Sequence, residues 1–236
     1  VAEPEDAEVR AQRAYYASHA HDYDASHASA QHHLALAFMV GAIRFLGVRS
    51  VLDVGAGTGR VLAYLAEHAP DVARAGVEPV SALREVAYDK GVDPAELREG
   101  DATRLDFPDG AFDLVSGFGL LHHVRDHRRV VREMLRVARK AIFISDSNNF
   151  GQGSGLKRAA KQALRAAGLW RIADLVKTRG RGYAITEGDG LAYSYSVFDD
   201  YPLVKASCRS VHLLNTQDAG MNLYRSGSHV ALLGIK

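Results

Sequence analysis

The sequence predicts an α/β fold: a parallel sheet covered by helices on both faces, with an antiparallel hairpin at the C-terminal end. Three observations predict it. Short apolar runs rich in β-branched residues, SVLDV (50–54), ARAGVE (73–78), FDLVS (112–116) and AIFISD (141–146), read as buried strands. Helix-like stretches lie between them at 59–68, 81–89 and 126–139, and strands alternating with helices at this spacing build parallel sheets. Two further strand-like runs, near 208–215 and 229–235, are joined by a Gly-containing connection suited to a hairpin.

Each element has a local cause. Residues 1–30 are polar and rich in Ala, His and Tyr, predicting a short helix followed by a loosely ordered arm. AQHHLALAFMVGAIRFLG (30–47) carries apolar residues at helical spacing and ends on glycine, a common helix terminator. Within 126–139, Val130, Val131, Met134, Leu135 and Val137 recur on one face. ELREGD (96–101) is a weaker strand candidate before the turn at FPDG (107–110). The interval 150–197 breaks the alternation. It opens with GQGSG, and residues 151–181 carry eight Lys or Arg (157, 158, 161, 165, 171, 177, 179, 181) against one acid, Asp174. This predicts a helical insertion between the last two parts of the sheet.

At 236 residues, 47% hydrophobic and 24% charged, the chain suits one soluble globular domain over 1–236 with a modest insertion. Its parts are an N-terminal helical arm and lid (1–47), a core (48–149), the insertion (150–197), and a C-terminal helix and hairpin (198–236). A net charge of +1 gives no whole-chain signal for nucleic acid. The single cysteine, Cys208, excludes an internal disulfide and a several-cysteine zinc site, and suits a reducing compartment, so a cytoplasmic location is expected. The acidic start is unlike a signal peptide, and no apolar run reaches the ~18 residues of a membrane span.

VLDVGAGTGR (51–60) carries the strongest chemical signal. A strand that breaks into Gly55, Gly57 and Gly59 and resumes as a helix brings backbone N–H groups close to a ligand. Nucleoside triphosphates take G-x-x-x-x-G-K-[ST], and no lysine follows here. Dinucleotides take G-x-G-x-x-G, whereas the third glycine here falls one residue early, and Asp53 would repel a pyrophosphate. A cationic ligand without phosphate suits both features. S-adenosyl-L-methionine is one, with an ammonium, a sulfonium, a carboxylate, a ribose diol and an adenine.

VLDVGAGTGR resembles the first motif of the class I S-adenosylmethionine-dependent methyltransferases of the small-molecule type. GVEP (76–79), GDATRLDFPDGAFDLV (100–115) and GFGLLHHV (117–124) are similar to the segments that follow it in that family. The resemblance implies a Rossmann-like, seven-stranded, mostly parallel sheet with helices on both faces, only the last strand antiparallel, and a helical cap insertion. It also implies that S-adenosyl-L-methionine binds beyond the carboxyl ends of the strands and leaves as S-adenosyl-L-homocysteine. By this resemblance Asp53, Gly55, Ala56, Gly57, Thr58 and Gly59 hold the methionine end, and Glu78, beside Pro79, accepts both ribose hydroxyls. Asp101, with Ala102 and Thr103, receives the adenine amino group; Gly117, Phe118 and His122 line the methionine end; Tyr16 and Tyr23 close over the cofactor.

His122 and His123 lie where the resemblance puts the methyl group, and each admits two roles: a general base, His123 ahead of His122, or a packing residue beneath the cofactor. Tyr15, Asp146, Asn148, Asn149, Trp170 and Tyr195 are candidates for the acceptor wall, with core packing an equal alternative for the aromatic run 193–201. No metal is expected. The arm histidines His19, His21, His27, His32 and His33 lack ligand spacing, and Ser116 and Gly117 stand where metal-dependent catechol chemistry wants an aspartate. The basic insertion suits a solvated face first, then an anionic acceptor, then a membrane or nucleic-acid surface.

The expected reaction is direct in-line methyl transfer to an oxygen or nitrogen of a small molecule: anionic, sugar-like or a secondary metabolite. Three rivals remain. A nucleic-acid methyltransferase is disfavoured by SGFG where amino-methylating DNA enzymes carry [DN]-P-P-[YF]. A nucleotide-dependent oxidoreductase is disfavoured by the glycine spacing. A non-catalytic S-adenosylmethionine-binding or regulatory protein would keep the same pocket.

Overall fold

The computed structural model describes residues 7–23, 30–186, 189–217 and 222–236. In chain order the strands are β1 (Ser50–Val54), β2 (Ala73–Val77), β3 (Leu97–Arg98), β4 (Phe112–Phe118), β5 (Ala138–Ser147), β6 (Tyr183–Thr186), β7 (Gly190–Tyr193), β8 (Ser210–Asn215) and β9 (His229–Ile235). The helices are α1 (Ala7–His19), α2 (Ala30–Leu46), α3 (Arg60–His68), α4 (Ser81–Asp89), α5 (His127–Val137), α6 (Gly155–Ala166), α7 (Trp170–Lys177) and α8 (Val197–Ser207). Seven strands form one sheet in the order β3-β2-β1-β4-β5-β9-β8. β9 runs antiparallel to β5 and β8, and the other neighbours pair in parallel.

Alternation along the strands explains the two layers of helix, because successive side chains leave opposite faces. On one face Val51, Leu114, Phe143 and Leu233 meet Leu36, Met39 and Ile43 of α2 and Leu65 of α3. On the other, Leu52, Val115, Ile142 and Leu232 meet Val130, Val131 and Met134 of α5 and Val204 of α8. Local signals set the helix ends. Asp126 caps α5 by accepting from the Arg129 N–H, and Ser196 with Asp199 forms a capping box at α8. Gly47 follows α2 with φ +57°, the left-handed stop that the sequence predicts.

The differences from the sequence reading are local. The weak strand at 96–101 shrinks to two residues, and β5 starts at Ala138, inside the stretch read as helix. The insertion holds the expected helices, α6 and α7, but ends in an antiparallel hairpin, β6 on β7, in register from Tyr183↔Tyr193 to Thr186↔Gly190. That hairpin packs on α1 and on the short 3-10 turn Leu121–His123, so it returns to the sheet's active end. Among the described residues no helix is long and apolar enough to cross a membrane.

Candidate functional site

Beyond the carboxyl ends of β1 to β4 opens a cavity of about 240 Å³, with the loops that leave these strands as its floor and α1 as its roof. After β1 the chain turns sharply, and Gly55, Gly57 and Gly59 take φ of +69°, +54° and +76°. A Cβ at Gly55 would stand 2.8 Å from Leu120 Cδ1, and one at Gly59 2.7 Å from Val92 Cγ2, so these positions combine left-handed backbone with close packing. Gly55 and Gly57 line the cavity; Ala56, Thr58, Gly59 and Gly117 sit behind its wall.

Glu78 follows β2 and reaches back under this loop. It is 5% exposed; Oε2 accepts from the Gly57 N–H at 3.0 Å and Oε1 from the Val80 N–H at 2.9 Å. Burial raises its pKa above the ordinary carboxylate range, and the two N–H groups counter part of that rise. Pro79 lies beside it in the wall. After β3, Asp101 stands exposed at the lip, where Oδ1 accepts from Thr103 N and Thr103 Oγ1, both at 2.7 Å. Ala102 and Thr103 complete that side, and Phe118, Tyr16 and Tyr23 line the cavity.

Asp53 is a correction. It is 2% exposed, outside the cavity wall, and accepts from Ser116 Oγ at 2.8 Å. Burial pushes its pKa up to about 7, against the opposing pull of Ser116. An acid part-protonated at neutral pH repels a pyrophosphate less than a full charge would. Glycine spacing therefore carries the discrimination against dinucleotides.

His122 and His123 share a 3-10 turn yet acquire opposite electrostatics. His122 lies outside the cavity wall, with Nδ1 2.6 Å from Asp146 Oδ1 and Nε2 3.2 Å from Asp189 Oδ2. Burial alone would strip its proton, but the two carboxylates outweigh burial and push its pKa up to about 10. An imidazole whose proton is held by two carboxylates, outside the cavity wall, is poorly placed for the base role that the sequence reading gave it beside His123. His123 lines the cavity, and burial followed by the neighbouring His122 charge pushes its pKa below the ordinary 6.5. Its Nδ1 stands 2.7 Å from the Leu191 carbonyl and 3.0 Å from Gln12 Nε2, and the tautomer with its proton on Nδ1 donates to that carbonyl. Nε2 is then left to accept from the Tyr16 hydroxyl at 2.7 Å, with Asp189 Oδ1 3.3 Å away. His122, His123 and Asp189 bring one potential ligand atom each within 4.8 Å of one another.

The acceptor candidates are dispersed. Tyr15 stacks on His19 at 4.3 Å and packs beside Gly190 of the hairpin. Asp146 is fully buried; besides His122 it accepts from the N–H groups of Leu121 at 2.7 Å and Ser147 at 2.6 Å. Asn148, also fully buried, donates to the Tyr224 and Gly227 carbonyls at 2.9 and 2.8 Å and accepts from Ser196 Oγ at 2.8 Å, tying the insertion to the sheet. Tyr195 packs in the core with its hydroxyl donating to Asp200 at 3.0 Å. The Lys161 ammonium donates to the Asn149 carbonyl, and Trp170 packs edge-on against Phe150 at 5.2 Å, both at the root of the insertion. None of these six lines the cavity, because each is used to brace the elements around it. Of the arm histidines, His27 lies outside the described residues.

Several wall residues escaped the sequence reading. Gln12 of α1 accepts from the Leu191 N–H at 2.6 Å, and Glu8 pairs with Arg125 and accepts from the Tyr193 hydroxyl at 2.5 Å. Asp189 and Leu191 belong to the hairpin that covers the histidines. A signal for that hairpin was present: YAIT and GLAY flank a Gly- and Asp-containing stretch, a pairing that suits two short strands around a turn.

Residues 52–144 match the family described as a methyltransferase domain. The chain is 39% identical over 119 residues to a phosphatidylethanolamine N-methyltransferase of Cereibacter sphaeroides, covering 48% of this chain and 57% of that one. It is 35% identical over 101 residues to the ajmaline N-methyltransferase of Rauvolfia serpentina, 41% of this chain and 34% of that one. The matched stretch thus spans about half the length of the first curated relative and a third of the second. In fold, the magnesium protoporphyrin IX methyltransferase of Synechocystis PCC 6803, solved with bound S-adenosylmethionine, superposes over all of both chains with a TM-score of 0.62 at 13% identity. Residues 52–144 thus carry the match to a methyltransferase domain, on a sheet that shares the fold of S-adenosylmethionine-dependent methyltransferases.

Proposed function

We propose that the chain transfers the methyl group of S-adenosylmethionine to an oxygen or nitrogen of a small molecule, with His123 taking the acceptor's proton by way of Tyr16. One observation carries this reading: the glycine loop and Glu78 share a single cavity with the Tyr16–His123 pair. The cofactor supplies a methyl carbon made electrophilic by its sulfonium, so alignment contributes much of the rate. The residues fit it. Each Glu78 oxygen already takes one backbone N–H and keeps a lone pair for a ribose hydroxyl. Asp101 has Oδ1 held by Thr103, leaving Oδ2 to accept an adenine amino group.

On the acceptor side, Tyr16 is positioned to pass a proton to His123 Nε2, which a depressed pKa keeps open at neutral pH. The imidazolium so formed faces Asp189 at 3.3 Å. His122 takes no part in proton transfer; its charge holds Asp146 and Asp189 in place. The roof around Glu8, Val9, Val124, Arg125 and Tyr193 offers one charged pair among apolar contacts, which suits a small amphipathic acceptor. Both curated relatives are named as N-methyltransferases of small molecules, which supports the same acceptor class.

The test joins two measurements. Calorimetric titration with S-adenosylhomocysteine and NAD is expected to give tight binding of the first alone; tighter binding of NAD overturns the cofactor assignment. Incubation with S-adenosylmethionine and pooled small amines and alcohols is expected to add the mass of one methyl group to a product. Donor binding without any transfer across such pools would favour the non-catalytic binding protein.

A further inference from the structure

Charge is segregated in this chain. Residues 151–181 carry eight Lys or Arg against one acid, a net +7, in a sequence whose total is +1, so the remainder carries −6. Of these eight cations only Arg165 joins an ion pair among the described residues, with Asp199 at 2.7 Å. Lys157, Arg171, Lys177 and Arg179 are exposed. They also crowd one another, since Lys157, Arg158 and Lys177 all act on the Lys161 ammonium to lower its pKa, after burial has done so.

The same segment exposes apolar surface. Among the described residues nine large apolar side chains are exposed, and five lie here: Leu156 (83%), Leu169, Ile172 (61%), Leu175 and Val176 (75%), with Ile185 just beyond in β6. On α7, Ile172, Leu175 and Val176 fall at i, i+3 and i+4, a single stripe flanked by Arg171 and Lys177. Neither α6 nor α7 has a buried residue. Their inner sides are already engaged: Trp170 against Phe150, the Lys161 ammonium on the Asn149 carbonyl, and the Arg165 guanidinium 4.3 Å over the Phe150 ring. The outer stripe therefore has no place to turn inward.

We infer that the outer face of α6 and α7 docks onto an anionic lipid bilayer. A solvated face accounts for the cations and leaves the aliphatic stripe unexplained. Nucleic acid would neutralise the cations and keep Ile172 and Val176 in water. A second copy docked face to face would bring two +7 patches together. An anionic bilayer satisfies both halves, taking the stripe into the acyl boundary and the cations among its headgroups.

Trp170, the only tryptophan in the sequence, sits at the start of α7 on its inner side against Phe150, so its emission follows changes in α7 while co-sedimentation reads binding itself. The full chain is titrated with phosphatidylcholine vesicles with and without phosphatidylglycerol, following Trp170 emission and co-sedimentation. Binding is expected to the phosphatidylglycerol vesicles only, reversed by high salt. Lys157→Ala with Lys177→Ala is expected to weaken it about twenty-five-fold, at about fivefold per cation. Ile172→Glu with Val176→Glu is expected to abolish it, and circular dichroism and melting show whether each variant is folded. Equal binding to neutral vesicles, no binding, or undiminished binding by both folded variants overturns the inference. So does an emission response to duplex DNA with none to vesicles. Methyl transfer is not part of the readout, so the inference stands or falls apart from the catalytic proposal.

Discussion

The floor and the roof of the cavity are built in different ways. Floor contacts join residues near in sequence: Gly57 to Glu78 across 21 positions, and Asp101 to Thr103 across two. Roof contacts join residues far apart: Tyr16 to His123 across 107, His122 to Asp189 across 67, and Leu191 to Gln12 across 179. Each floor residue is placed by its own strand, turn and helix. The roof exists only once α1 and the β6–β7 hairpin have closed on the turn that carries the histidines. On the function proposed, ligand recognition would reside in local units and proton handling in a tertiary junction.

The sharpest way to break that contrast is Asp146→Asn. It removes one partner of a fully buried pair and leaves the His122 charge short of a counterion, so a loss of about 3 kcal/mol in urea unfolding is expected. Asp101→Asn, on the exposed lip of the floor, is expected to cost under ~0.5 kcal/mol. Similar losses for the two would show that the roof is not held by this pair. On the floor, Glu78→Ala removes the carboxylate placed for the ribose diol, and S-adenosylhomocysteine affinity is expected to fall about a hundredfold by calorimetry. An unchanged affinity would remove Glu78 from the cofactor site.

The base comes next. His123→Ala is expected to lower kcat about a hundredfold while S-adenosylhomocysteine affinity stays within about threefold. Tyr16→Phe should follow it, since Tyr16 lines the same cavity and its hydroxyl donates to His123 Nε2. Because the pKa of His123 is depressed, the acid limb of kcat/KM should lie below pH 6.5 in the wild type. A limb above pH 7, or full turnover in both variants, would assign the proton to another acceptor.

Legibility in the sequence follows the same division. The alternation of strands and helices, the glycine loop and the position of Glu78 and Asp101 after successive strands were all readable, because burial alternation and turn chemistry act over a few residues. What was not readable is whatever depends on a distant partner. Nothing near Asp53 announces that Ser116 will sit beneath the loop with it, or that burial will carry its pKa to about 7. His122 and His123 are adjacent and chemically identical in the sequence; the two carboxylates that separate their roles come from β5 and the hairpin turn. Asn148 looks like a ligand-wall residue because it follows β5 at the active end. Its hydrogen bonds to 224 and 227 turn it into a brace that only the assembled fold reveals.

The last expected effect is a slope, and it tests the roof through pH alone. His122 has a folded pKa of about 10 against an ordinary 6.5, so its stabilising contribution is complete below pH 6.5 and is lost as pH rises through about 10. Asp146 is shifted the other way; its contribution is present above its ordinary value and is lost only as acid drives the pH through its lowered folded pKa. Asp53, raised to about 7, loses its contribution between its ordinary value and neutrality, so it is spent before the alkaline range begins. Between pH 7.5 and 9.5 the unfolding free energy should therefore fall by up to ~1.4 kcal/mol per pH unit on account of His122. His122→Gln removes that titration, and its profile over the same interval should be flatter by that amount. Parallel profiles would mean that His122 is not held as an imidazolium, and would return it to consideration as a base alongside His123.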